Sequence, residues 1–118
     1  MDAATERRLL GLLGLGVRSR GAVVGVEQVR DAARRGKLKL AVVSPDVSRH
    51  SYDKFVPLLE ARRVRVVQGP PAAVLGQAVG RETTAVVGVV DGQLARDIRA
   101  LLEASAGGAP NGAPARAP

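Results

Sequence analysis

The sequence predicts a single α/β domain in which one sheet is covered by helices on both faces, a three-layer α/β/α arrangement. Three observations lead there. Segments with helical spacing of apolar residues alternate with short valine-rich runs, five of the first kind enclosing four of the second. The runs at 38–43 and 85–90 are apolar almost throughout, as expected of strands buried on both faces. A chain of 118 residues has room for one core, since domains typically run ~100–150 residues.

The elements follow in order. Asp2 or Thr5 caps a first helix whose Leu9, Leu10, Leu12, Leu13 and Val17 form a broad apolar face. Gly11, Gly14 and Gly16 lower its intrinsic propensity, which close packing against a neighbour would explain. A strand at Ala22–Val24 leads to Gly25, which opens a helix from Val26 to about Arg35, stopped by Gly36. Leu38–Val43 is the second strand. Ser48 caps a helix carrying Tyr52, Phe55, Val56 and Leu59, and Pro57 within it predicts a kink or an early break. Val64–Val67 is the third strand. The turn at Gly69, Pro70 and Pro71 starts a helix that ends at Gly80. Ala85–Val90 is the fourth strand, and Asp91 caps a last helix with Leu94, Ile98, Leu101 and Leu102 at helical spacing. The domain therefore covers residues 1–104. Residues 105–118 contain only Ala, Gly, Pro, Asn, Arg and Ser, too little apolar surface to offset an ordering entropy of ~1–2 kcal/mol per residue, and read as a disordered tail.

Composition narrows the function. The core must be aliphatic, because Tyr52 and Phe55 are the only aromatic residues. Absence of cysteine removes disulfide, zinc-ribbon and thiol-nucleophile chemistry. No leader-like start and no run near the ~20 apolar residues of a membrane span are present, so a cytoplasmic protein without membrane contact is expected. A net charge of +7, from 18 basic against 11 acidic residues, favours a polyanionic partner, though charge alone does not say which one. All the basic residues except Lys37, Lys39 and Lys54 are arginines, whose planar fork suits phosphates and base edges. Biased codon usage produces the same preference.

The basic residues cluster. Arg18, Arg20, Arg30, Arg34, Arg35, Lys37 and Lys39 fall in one stretch with only Glu27 and Asp31 against them. The helix opened by Gly25 begins inside that stretch, and a helix N-terminus offers unpaired N–H groups to a phosphate. An ordinary solvated helix face would have the same charges.

Catalytic readings find little support. Gly14, Gly16 and Ser19 approach a dinucleotide fingerprint but lack a third glycine and sit inside a helix pattern. No Gly-Lys-Ser or Gly-Lys-Thr phosphate loop occurs. Ser48, His50, Ser51 and Asp53 are better explained by helix capping than by a triad, and the single His with scattered carboxylates shows no metal-ligand spacing. No cofactor, no metal site and no enzymatic activity are expected.

A family resemblance sharpens this. Gly25 with Glu27 and Gln28, then Arg35-Gly36 and the strand after it, resemble the kink-turn-binding ribosomal protein superfamily, most closely its bacterial YlxQ-type branch. The run Leu75-Gly76-Gln77-Ala78-Val79-Gly80, followed by Arg81-Glu82 and a valine-rich strand, is similar to the family's other hallmark. Ser44-Pro45-Asp46-Val47 and Val56-Pro57-Leu58-Leu59 lie in the right order between them, so the resemblance covers about residues 5 to 103.

The resemblance implies an α/β/α sandwich around a mixed four-stranded sheet and a non-catalytic, monomeric protein that binds structured RNA, possible partners being the ribosome and other translation or transcription proteins. It places Gly25, Val26, Glu27 and Gln28 at sheared G·A pairs and Arg81, Glu82, Thr83 and Thr84 against a flipped-out nucleotide, with Gln28 as an acceptor for guanine edges. Arg30, Arg34, Arg35 and Lys37 would hold the phosphate backbone. Two positions depart from the family: Glu27 stands where Asn or Lys is usual, and Asp31 replaces a Lys. Both put negative charge at the proposed groove and weigh against a standard kink-turn. They favour the alternative, a protein-interaction adaptor in the translation or transcription machinery that has lost kink-turn recognition.

The tail reading has a direct test. A chain ending at Ala104 should melt within about a degree or two of the full-length protein, as measured by circular dichroism. A larger loss would show that the tail docks.

Overall fold

The computed structural model describes residues 1–107. Helices α1 (Ala3–Arg18), α2 (Val26–Arg34), α3 (Arg49–Ala61), α4 (Ala72–Ala78) and α5 (Gly92–Gly107) alternate with strands β1 (Ala22–Val24), β2 (Leu40–Val43), β3 (Arg65–Gln68) and β4 (Val86–Val89). The strands form one mixed sheet in the order β1-β4-β2-β3. β4 runs antiparallel to both β1 and β2, whereas β2 and β3 are parallel.

The three layers follow from strand alternation. Leu40 and Val42 of β2 join Val87 and Val89 of β4 in a core with Leu9, Leu13, Leu75, Leu94 and Ile98 from α1, α4 and α5. Ala41, Val43 and Val86 face the other way, onto Val29, Ala33, Phe55, Val56 and Leu59 of α2 and α3. β2 and β4 are buried along their whole length, while β3, on the edge, is half-exposed. Among the described residues no helix is long and apolar enough to cross a membrane.

Strand direction gives the sheet two distinct ends. At the upper end β1, β2 and β3 finish and β4 begins, with Val43 paired to Val86 and to Gln68. At the lower end β4 finishes and the other strands begin, with Leu40 paired to Val89 and to Arg65.

Several expectations are modified. Pro57 neither breaks nor ends α3, which continues to Ala61. It lies on the exposed side of the helix, where the carbonyl four residues earlier can turn to water, while Phe55, Val56 and Leu59 hold the opposite side in the core. Asp2, not Thr5, caps α1: its Oδ1 accepts the Thr5 N–H at 2.7 Å. The ladder of β2 starts at Leu40, two residues after the start expected from the apolar run. α5 extends to Gly107, so the expected domain boundary at residue 104 falls inside its last turn; residues 108–118 of the expected tail lie outside the described residues.

The three glycines of α1 divide. A Cβ on Gly14 would lie 2.7 Å from the Ala78 carbonyl oxygen, and one on Gly16 would collide with Leu94 Cδ2, so both permit close helix contacts. Gly11 faces open space, and nothing in the structure requires it.

Two predictions follow from this packing. Gly14→Ala should destabilise by ~1–3 kcal/mol, because a backbone carbonyl cannot move aside, whereas Gly11→Ala should stabilise by ~0.5–1 kcal/mol through helix propensity. Urea denaturation of the two variants should move the midpoint in opposite directions. The second concerns Asp46, whose Oδ1 accepts the Ala72 N–H at 2.9 Å and caps α4. That backbone hydrogen bond holds its carboxyl below the ordinary value of 3.8. A depressed folded-state pKa stabilises above the unfolded value, and the contribution is lost as pH falls through the folded one. Asp46→Ala should therefore lower Tm at neutral pH, and the gap from wild type should shrink as pH falls below about 3.8.

Candidate nucleic-acid interface

Gly25 determines the geometry of the upper end. Its φ of +94° and ψ of 162° belong to a region open essentially to glycine alone, and its N–H donates to the Val86 carbonyl at 3.0 Å. The bond holds the start of α2 against the start of β4. A Cβ at Gly25 would meet nothing within 4 Å, so the glycine is needed for backbone conformation and not for space.

That helix start is open. Asp2, Ser48, Asp46 and Asp91 each place a side-chain oxygen on a first-turn N–H of α1, α3, α4 and α5. α2 has no side-chain cap. The amides of Val26, Glu27 and Gln28 lack intrahelical acceptors by construction of the helix, and they sit at its partially positive end.

Gln28 is exposed, and its Oε1 accepts the Val24 N–H at 3.1 Å. The oxygen thus has one lone pair left, and the Nε2 amide group is the larger free feature, so Gln28 offers donors as well as the acceptor expected from the sequence. The two carboxylates that depart from the family pattern are each paired on the helix itself. Glu27 lies 3.4 Å from Arg30 and Asp31 lies 3.1 Å from Arg35. Arg30 is half-buried, with its Nε enclosed and without a partner.

The second predicted surface lies beside the first. α4 ends in a turn in which Gly80, at φ +80°, follows the helix and the Arg81 N–H returns to the Gly76 carbonyl at 2.8 Å. A Cβ on Gly76 would lie 2.6 Å from Thr83 Cα, so this glycine lets the 81–84 loop close onto α4. Arg81, Glu82 and Thr83 are exposed. Thr84 is not: it is 7% exposed, its N–H donates to the Ala72 carbonyl and its hydroxyl donates to the Val86 carbonyl. It positions the loop and presents nothing outward.

Arg34, Arg35 and Lys37 are adjacent to the glycine in sequence and distant from it in space. They stand at the far end of α2, at the lower end of the sheet, nine helical residues or about 13 Å from Gly25. The residues expected to contact one RNA surface therefore fall on two.

Sequence reasoning missed a cleft at the upper end, about 640 Å³ in volume, lined by Ser44, Pro45, Arg49, Tyr52, Val66 and Gln68. Tyr52 is 40% exposed there, although in the sequence it groups with the buried Phe55, Val56 and Leu59 of the same helix. Ser48 and Asp53, considered for a triad, are occupied instead with the Ser51 N–H and with Arg49. Among the described residues no three His, Cys, Asp or Glu side chains gather as a metal site would require.

Comparison with known proteins agrees with this architecture. Residues 7–98 match the model of the Ribosomal protein L7Ae/L30e/S12e/Gadd45 family. The chain is 32% identical over 92 residues to the RNA-binding protein YlxQ of Bacillus subtilis (strain 168), covering 78% of this chain and 92% of that protein. A solved protein of unknown function from Bacillus halodurans C superposes with a TM-score of 0.73 at 32% identity, over 80% of this chain and 96% of its own. The 15.5kD RNA binding protein of Giardia lamblia shares the fold, with a TM-score of 0.72 at 21% identity over 88% and 92% of the two chains. A glycine-opened α2 beside a glycine-closed 81–84 loop, on a mixed four-stranded sheet, thus belongs to a chain of the L7Ae/L30e/S12e/Gadd45 ribosomal protein family.

Proposed function

We propose that this protein binds structured RNA at the upper end of its sheet and performs no chemistry on it. The observation that carries the reading is the uncapped start of α2 held beside the 81–83 loop. The relative it resembles over most of both chains is named an RNA-binding protein. In this reading the amides of Val26–Gln28 receive a phosphate or base-edge acceptor, Gln28 discriminates a non-Watson–Crick pair, and Arg81 with Thr83 contacts an unstacked nucleotide. A kink-turn or a related motif, in ribosomal or other RNA of the translation machinery, fits this arrangement, with the protein acting as a cytoplasmic monomer.

The ion pairs of α2 qualify the kink-turn itself. Glu27 is paired with Arg30 in the first turns of α2 and Asp31 with Arg35 at its far end, so each of the two acidic residues is offset on the helix itself. Exposed pairs are worth ~0–1 kcal/mol, so a phosphate can displace a carboxylate, but it then meets the carboxylate it displaced. The same observation favours the second reading, an adaptor that contacts protein partners in the translation or transcription machinery.

Binding assays on a kink-turn RNA and on a plain duplex separate the two. Gln28→Ala should cost ~1–3 kcal/mol on the kink-turn and little on the duplex. Combining Glu27→Asn with Asp31→Lys removes two carboxylates and frees two arginines, and should raise kink-turn affinity. If the double variant leaves kink-turn binding unchanged and Gln28→Ala has no effect on either RNA, the start of α2 is not a recognition surface and the adaptor reading replaces this one.

A further inference from the structure

The net charge of +7 does not reside at the end just described. At the upper end the acidic residues Glu27, Asp46 and Glu82 stand against Arg30 and Arg81, Arg49 is paired with Asp53, and the balance is near neutral. At the lower end the connections into β2 and β3 are basic. Arg34 ends α2, Lys37 and Lys39 lie between α2 and β2, and Arg62 and Arg63 lie between α3 and β3. All five are exposed, and among the described residues none has a carboxylate within the 4.0 Å of an ion pair.

These residues form one surface. α2 and α3 pack side by side, and Arg62 Nη1 donates to the carbonyls of Ala33 and Arg34 at 3.0 and 3.1 Å, joining the two helix ends. Arg99 of α5 donates to the Lys39 carbonyl at 3.0 Å and fastens the neighbouring connection. Arg63 stands at φ +58°, the left-handed position after α3 that glycine usually fills, where any side chain is strained.

Helix C-termini attract basic residues, and that role explains part of the cluster. Two helix ends carry roughly half a negative charge each, so about one positive charge balances them. Arg62, bonded to two terminal carbonyls, supplies it. Glu60, in the last turn of α3, offsets one more, and Asp31 is already paired with Arg35. Of the four charges on Arg34, Lys37, Lys39 and Arg63, three are therefore left that no group in the fold requires.

We propose that the lower end is a second RNA-contact surface, which grips the phosphate backbone of a duplex without reading its sequence. It rests on the RNA-binding reading above and extends it: the upper end recognises a motif, while the lower end holds a helical segment of RNA at the opposite end of α2.

The test uses the full chain and a plain RNA duplex of about two turns carrying no motif, titrated across a salt series. The combined variant Arg34→Gln, Lys37→Gln, Arg63→Gly removes three charges without touching Arg62, and glycine at 63 relieves the backbone, so its Tm should not fall below wild type by more than a few degrees. The expected result is a loss of at least about tenfold in duplex affinity and a log–log salt slope shallower by about two to three units, with Gln28→Ala indistinguishable from wild type on the same probe. Failure of the wild type to bind the duplex at low salt, an unchanged slope in the triple variant, or an equal loss in Gln28→Ala would each overturn the proposal. Because the motif reading is judged on the kink-turn probe and this one on the duplex, either can fail alone.

Discussion

β4 is hydrogen-bonded on both edges and buried on both faces, and the placement of the candidate interface depends on that. A strand in this position must enter and leave the sheet where its neighbours allow. Its first residues receive the N–H groups of Gly25 and, through Ala85, of Ser44. The loop that leads into β4 is therefore brought against the start of α2. Two segments more than fifty positions apart, 25–28 and 81–83, share one end of the molecule because both are attached to the same buried strand. Gly88, midway along β4, serves the same packing: a Cβ there would press on Leu38 and Val29, so its absence lets α2 settle onto the sheet.

Glycine recurs where the chain must approach closely or turn, and each instance has its own cause. Gly25 supplies a backbone conformation that other residues resist, whereas Gly76 and Gly14 supply room for a backbone neighbour. The two left-handed arginines are the exceptions. Arg20 and Arg63, at φ +65° and +58°, take the place after α1 and α3 that Gly36 and Gly80 take after α2 and α4. Strain of this kind persists where the surroundings impose it, and the chain has put charge there at the expense of backbone ease.

Much of the fold was legible because periodicity reports burial directly. Valine-rich runs are read correctly as β2 and β4, and Gly36 and Gly80 as helix ends. Pro57 was misleading because propensity acts locally, while Phe55, Val56 and Leu59 hold α3 through its core face. The strand order β1-β4-β2-β3 is beyond any periodicity. At the site, a glycine before a helix pointed to the open start of α2, but the inward turn of Thr84 depends on hydrogen bonds to Ala72 and Val86 that no local pattern encodes. Grouping Arg34, Arg35 and Lys37 with Gly25 treated proximity in the chain as proximity in space. A helix of nine residues is long enough to undo that, and it also hid Arg62 and Arg63, which reach the same end from a different segment.

If the upper end reads RNA as proposed, the separation of charge from it has a physical consequence for selectivity. Arginines crowded around Gln28 would raise affinity for every RNA alike, since phosphate contacts carry no sequence information, and would dilute the difference made by one base-edge contact. In the proposed reading the ion pair Glu27–Arg30 offsets that nonspecific term beside the open amides, so discrimination there rests on shape, the amides and Gln28. Long-range attraction is not lost, because the field of the lower end still acts on a polyanion within about a Debye length, ~8 Å at physiological salt. On the proposed reading, a near-neutral end that selects, joined by one helix to a basic end that attracts, lets the two properties vary independently, and the unusual acidic residues of α2 become part of recognition instead of a defect in it.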